Sequence, residues 1–362
     1  MPLSIIQMWN KENTRKERNS VKITSAFTKW IRTKTGYWLS LLILVGILLI
    51  SILISVSVGV AGGNLNILLH TLTYKGNLSE IGKVMLEMRM PRVLAACFTG
   101  AAFALAGAVM QGITRNPLAD AGLLGINAGA GFLVSLTAVF LPSISALSMM
   151  VAAFIGSIIA VLMVYGLGMG KGKSESIQLI LAGSAVSALL TALSQGISLV
   201  FGLSKSLSFW TAGSLSGITW QQLIITIPWI VGAALLSQFL SSQLSILALG
   251  EESAAGLGIN VKLVRLIGMA AVLIMAGASV SLVGGISFIG LIVPHSARFF
   301  VGTDYGRLLP VCALLGAILL VLADIVARTI NAPFDTPVGA LVSAIGVPIF
   351  LALTYQRKGA II

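Results

Sequence analysis

The sequence predicts an all-α fold, a polytopic membrane helical bundle of about ten transmembrane helices with both termini cytoplasmic. Three observations carry that expectation. The 362 residues are 57% hydrophobic and only 9% charged, with a mean hydropathy of +1.01. A soluble domain carries about 25% charged residues, so most of this surface must face lipid. The apolar residues run in long blocks rather than the period-two alternation of a membrane barrel, which leaves the helix as the element able to satisfy its own backbone in lipid. Finally, Lys and Arg are distributed unevenly between the segments that join the blocks.

The chain opens on a basic tail, residues 1–37, holding Lys11, Arg15, Lys16, Arg18, Lys22, Lys29, Arg32 and Lys34. Its length, and the absence of a small-residue cleavage site after the apolar run, argue against a secretory signal. A cytoplasmic anchor near anionic lipid explains it better than nucleic-acid binding. Residues 38–362 form the transmembrane domain. Its apolar blocks run over 38–60, 92–112, 121–141, 146–168, 176–201, 221–242, 262–283, 285–299, 309–330 and 337–355. The eighth is short and holds Gly290 and Pro294, so it reads as a short or broken span buried among other helices.

With the N-terminus inside, the inner segments hold seventeen of the 23 Lys and Arg residues, as the positive-inside rule requires. The outer segments hold Lys75, Lys83, Arg89, Arg92, Lys205 and Arg328, and three of those six are arginines flanking apolar blocks. The blocks are rich in small residues, including Gly100-Ala101-Ala102, Ala106-Gly107-Ala108 and Ala276-Gly277-Ala278, which lets helices approach closely. The last two triplets each precede a short Gly-containing segment, Leu123-Leu124-Gly125 or Ile289-Gly290-Leu291. An inverted repeat produces such an echo, and so does chance in a chain this rich in Gly and Ala.

Catalytic chemistry has little to work with. His70 falls in an outer loop, and His295 follows Pro294 near the inner face; helix-end or surface roles suit both. Cys97 and Cys312 sit in apolar runs as small buried hydrophobes, and no metal or haem spacing occurs. Gly168-Met169-Gly170-Lys171-Gly172-Lys173-Ser174 fails the phosphate-loop register, because Leu167 stands where the first Gly is needed. The chain is therefore expected to be no enzyme and to bind no cofactor or metal; ATP and Mg would belong to a partner. Asp324 and Arg328 lie four residues apart on one helical face and predict an intramembrane ion pair. Gln111, Asn127 and Gln195 either bond between helices or line a path.

Between two blocks on the inner side, Gly250-Glu251-Glu252 reads as the start of a short helix, with acids favourably placed at its N-terminus. Gly256 and Gly258 are positioned to stop it. Such a helix fits a groove on a partner, and an ordinary interfacial loop remains the alternative.

Several motifs in order resemble those of the FecCD-type iron-siderophore, haem and cobalamin permease family of ABC importers, also called type II importers. They are Arg89-Met90-Pro91-Arg92, Gly107-Ala108-Val109-Met110-Gln111, Asn116-Pro117-Leu118-Ala119 and Gly122-Leu123-Leu124-Gly125. They continue with Ala248-Leu249-Gly250-Glu251, Leu257-Gly258, Phe288 through His295, Arg298, Leu322 through Arg328, and Pro337-Val338-Gly339, over roughly 38–357. The resemblance implies ten helices per subunit, a second permease subunit (identical or paralogous) and an ATP-binding cassette ATPase dimer beneath. It implies an extracellular or periplasmic solute-binding protein docking on Arg89, Arg92 and Arg328. It makes Leu249, Gly250, Glu251, Glu252, Ala254, Gly256, Leu257 and Gly258 the ATPase coupling loop. It puts the inner gate near Lys173–Ile177, so that Lys173, Ser174, Ser176 and Ile177 join Gln111 and Asn127 as possible gate or pathway residues, although Glu175 beside two lysines departs from the family pattern.

The implied function is ATP-driven import of a ferric-siderophore-type chelate across the cytoplasmic membrane, with haem or cobalamin as the alternative cargo. An ion-coupled secondary transporter is the rival reading. A membrane enzyme or scaffold has no matching constellation of residues.

Overall fold

A computed structural model of the chain describes residues 31, 33–58, 67, 79–168 and 175–358. Most of the basic tail, His70, Lys75, Lys171, Lys173 and Ser174 lie outside the described residues, as do the side chains of Ser176 and Ile177. Among the described residues every regular element is a helix. Seven are long and apolar enough to cross a membrane, and three apolar helices are shorter.

Helix α1, Lys34–Ser57, is apolar on nearly every face, and only 17% of its central window is buried. Thr33 caps it by accepting from Gly36 N at 3.1 Å. Helix α2, Glu80–Thr114, is the opposite case, with 78% of its most apolar 18-residue stretch buried. It starts on Ser79, whose hydroxyl accepts from Gly82 N. It widens into one π turn at Met85–Arg89, just before Pro91 removes a helical donor.

Helix α2 is central because its side chains are small. Gly100 meets Gly316, and Gly107 meets Gly290, so closely that a Cβ at either glycine would overlap the opposing backbone. Around it stand α3 (Ile126–Phe140), α4 (Ala146–Gly168), α5 (Glu175–Val200), α6 (Ser204–Thr211), α7 (Trp220–Phe239), α8 (Ser241–Leu247), α9 (Glu251–Gly256), α10 (Val261–Val283), α11 (Ile289–Val301), α12 (Tyr305–Thr329) and α13 (Val338–Lys358). Helices α12, α10 and α11 pack directly on α2, α3 and α4 pack against α10, and α5 packs on α3 and α4.

Two elements are half-length. Helix α11 has 13 residues, about 20 Å at 1.5 Å each, less than the ~30 Å of a hydrocarbon core. This agrees with the short, buried eighth block. The third block was expected as a full span over 121–141, and the structure corrects it: a 3-10 turn at Ala121–Leu124 leads into the 15-residue α3. The turn is buried because Asp120 points back into the bundle, where its carboxylate lies against Gly290. Both short helices begin after a left-handed residue, Gly125 (φ 73) and Phe288 (φ 72), so the sequence echo extends to the backbone at these entries.

Candidate functional site

The polar residues gather at the two ends of α2. Arg92 and Ile113 stand 21 residues apart on this helix, about 32 Å at 1.5 Å per residue.

At the Arg92 end, Asp324 of α12 is fully buried and accepts from Arg92 Nε at 2.8 Å. Its other oxygen lies 3.1 Å from Arg328 Nε, the i,i+4 pair that the spacing predicted. Arg92 Nη1 donates to Asp335 at 2.9 Å. Asp335 lies in the 330–337 connection ahead of α13. Burial pushes its carboxyl up, but hydrogen bonds from Arg92 and Ser216 and the charges of Arg92 and Arg328 outweigh this and hold it below its ordinary 3.8.

Arg328 also donates to Ser55 Oγ at 2.5 Å, to Ser55 O at 3.1 Å and to Val58 O at 3.2 Å. Buried Arg89 donates to Val56 O at 3.0 Å and Ser57 O at 3.3 Å. Two guanidinium groups thus bind the C-terminal carbonyls of α1, where the helix dipole favours cations. The three predicted arginines share one end of the bundle, and each has acceptors within the chain.

At the other end, Glu251 opens α9. Arg265 Nη2 donates to its Oε1, and Arg115 Nε lies 3.9 Å from the same oxygen. Arg265 Nε also donates to Ile113 O at 3.3 Å. The short helix is therefore tied to the C-terminus of α2 and the N-terminus of α10. Gly250 (φ 133) and Gly258 (φ 80) flank it in conformations that a side chain would strain. Ala254 is buried beneath, and Glu252 and Gly256 are exposed. Leu249 and Leu257 stand 74% and 67% exposed.

Between the ends, Gln111 Nε2 donates to Gly290 O at 3.0 Å, and Arg298 donates to Gln111 Oε1 at 2.5 Å and to Tyr305 OH at 3.3 Å. Gln111 thereby fastens α2 to α11. Asn127 lines a cavity of about 250 Å³ with Thr191, Ser194, Gln195, Ser208 and Thr211. A larger cavity, about 500 Å³, is lined by Lys205, Trp210, Ser214, Ser216, Val283 and Gly284 among others. Among the described residues no group of His, Cys, Asp and Glu is arranged to hold a metal.

Sequence reasoning missed the Arg92–Asp324 and Arg92–Asp335 bonds, which join residues more than 230 positions apart. It also missed Asp120, which packs against Gly290. The available signal was its place directly after the Asn116–Ala119 motif.

Residues 47–356 match the model of the FecCD transport family. An iron(3+)-hydroxamate import system permease protein of Bacillus subtilis is 37% identical over 98% of this chain and 93% of its own. A hemin transport system permease protein of Yersinia pestis is 39% identical over 87% and 96%. A cobalamin import system permease protein of Halobacterium salinarum is 37% identical over 75% and 73%. Among solved structures, a metal-chelate type ABC transporter in an inward-facing conformation superposes with a TM-score of 0.77 at 28% identity, covering 87% of this chain and 98% of its own.

Proposed function

The chain belongs to the FecCD transport family, and from that premise we propose that it is the transmembrane permease subunit of an ATP-driven importer carrying a ferric-siderophore-type chelate. In this reading ten helices cross the cytoplasmic membrane with both termini inside, and a second permease subunit completes the path. The ATPase dimer is a separate partner that binds ATP and Mg. A solute-binding protein delivers the chelate at the Arg92 end.

The observation that carries the reading is the polarity of α2. One end holds a guanidinium–carboxylate cluster at Arg89, Arg92 and Arg328, and the other, about 32 Å away, holds the exposed short helix α9. Guanidinium groups suit bidentate recognition of carboxylates on a delivery protein. Leu249 and Leu257, exposed beside α9, suit an apolar groove on an ATPase. The tie from Glu251 to Arg265 and Arg115 gives a pull on α9 a route into α10 and α2, the helices nearest the bundle centre. Gln111 and Arg298 extend that route to α11, and Asn127 faces a polar-lined cavity of about 250 Å³.

Hydroxamate import by the Bacillus relative supports the siderophore class; the hemin and cobalamin relatives keep those cargoes as the alternative. An ion-coupled carrier is disfavoured, because Asp324 is held between Arg92 and Arg328. Uptake of labelled ferric hydroxamate, hemin and cobalamin into a deletion strain complemented with this chain tests the reading. Siderophore uptake abolished by inactivating the partner ATPase is the expected result. Uptake driven by an ion gradient in vesicles holding this chain alone would overturn it.

A further inference from the structure

The three arginines at the Arg92 end do not have equal freedom. A guanidinium has five N–H donors. Arg328 directs Nε toward Asp324 and spends both terminal nitrogens on Ser55 and Val58. Arg92 spends Nε on Asp324 and Nη1 on Asp335, and its Nη2 has no hydrogen bond among the described residues. Compared with Arg328, Arg92 thus has one terminal nitrogen left to offer, and of its two acceptors only Asp335 is partly exposed, at 30% against 0% for Asp324.

Asp335 sits at a junction. Besides pairing with Arg92 of α2, it faces Ser216, which helps to stabilise its charge, in the segment joining α6 to α7. That segment is held to α10 by Ser214 N donating to Val283 O at 2.9 Å, and to α13 by Gly339 N donating to Gly213 O at 3.3 Å. Ser214, Ser216, Val283 and Gly284 all line the cavity of about 500 Å³. The 330–337 connection is tied back to α12 by Thr336 N donating to Ala327 O at 3.2 Å.

We propose that Asp335 is a positioning residue that links docking at Arg92 to the wall of this cavity. It occupies the guanidinium edge that a partner's carboxylate would take. When a delivery protein's carboxylate pairs with Arg92, Asp335 is displaced, and the 330–337 connection loosens from Ser216, which lines the cavity. Asp324, fully buried, keeps Arg92 in place throughout. The inference rests on the docking role assigned above.

The test uses the complete transporter in lipid nanodiscs and the organism's purified solute-binding proteins, taking forward one that binds the wild-type chain. Asp335→Asn removes the competing charge and is expected to tighten binding roughly three- to five-fold, the scale of a partly exposed ion pair. Binding-protein-stimulated ATP hydrolysis is expected to fall. Asp335→Glu should restore both values. Hydrogen exchange of the 330–337 amides should rise on docking in the wild type. Ser216→Ala, which spares the carboxylate, should weaken stimulation while leaving affinity unchanged.

A merely structural Asp335 would lower affinity and stimulation together, and that result overturns the proposal. Unchanged exchange at 330–337 on docking also overturns it. If none of the binding proteins binds the wild type, the docking reading fails and takes this inference with it. If one binds while Asp335→Asn has no effect, this inference fails alone.

Discussion

The two ends of α2 solve the same electrostatic problem with different degrees of burial. At one end Asp324 is fully buried and Arg92 and Arg328 nearly so, with the remaining donors of Arg328 taken up by α1. At the other, Glu251 is nearly half exposed and is shared by Arg265 and the half-exposed Arg115. Breaking a buried pair strands a charge in low dielectric, whereas an exposed pair is replaced by water at small cost. The Arg92 end therefore acts as a fixed fastening of α1, α2 and α12. The Glu251 end is a joint between α9, α10 and α2 that is broken at smaller cost.

The largest effect should come from Asp324→Ala, which leaves two buried guanidinium groups without their shared carboxylate. A loss of about 3–5 kcal/mol is expected, read as a lower unfolding temperature in detergent. A wild-type melting temperature would mean that the fastening is no fastening. Next comes the helix crossing between the two ends. Gly107→Ala pushes a methyl into the Gly290 backbone and should destabilise by about 1–3 kcal/mol.

Glu251→Gln should be milder for the fold, below about 1 kcal/mol, yet uptake should fall because α9 loses its charged tie to α2 and α10. Equal losses of stability at Asp324 and Glu251 would erase the contrast between the ends.

The smallest effect concerns pH. The folded Asp335 carboxyl titrates below its ordinary 3.8. Its contribution is therefore fully present above that value and is lost only as pH falls through the lower folded value. The difference in melting temperature between wild type and Asp335→Asn should stay flat from pH 8 to 5.

Local spacing made part of this arrangement legible. The Asp324–Arg328 pair is one helical turn apart, and the bounds of α9 follow from Gly250, the two acids and Gly258. The brevity of α11 shows in a block that holds Gly290 and Pro294. The bundle itself follows from composition. What stayed hidden depends on which segments meet in space. Arg92 pairs with Asp324 and Asp335 only because Gly100 and Gly316 let α2 and α12 touch. Asp120 reads as a loop acid until the Ala121–Leu124 turn folds it back onto Gly290. The half-length of α3 was masked by an apolar run continuous with its preceding turn. The motif resemblance pointed to Arg89 and Arg328 as docking charges and carried no trace of the α1 carbonyls they bind.

Sidedness tests the account most directly. Phe334, in the 330–337 connection that follows α12, is 71% exposed, and Leu257 is 67% exposed. Each can carry a single cysteine in a chain with Cys97 and Cys312 replaced, expressed without its ATPase. A membrane-impermeant maleimide should label Phe334→Cys in intact cells and Leu257→Cys only after permeabilisation. Labelling of both positions from the same side would contradict the account.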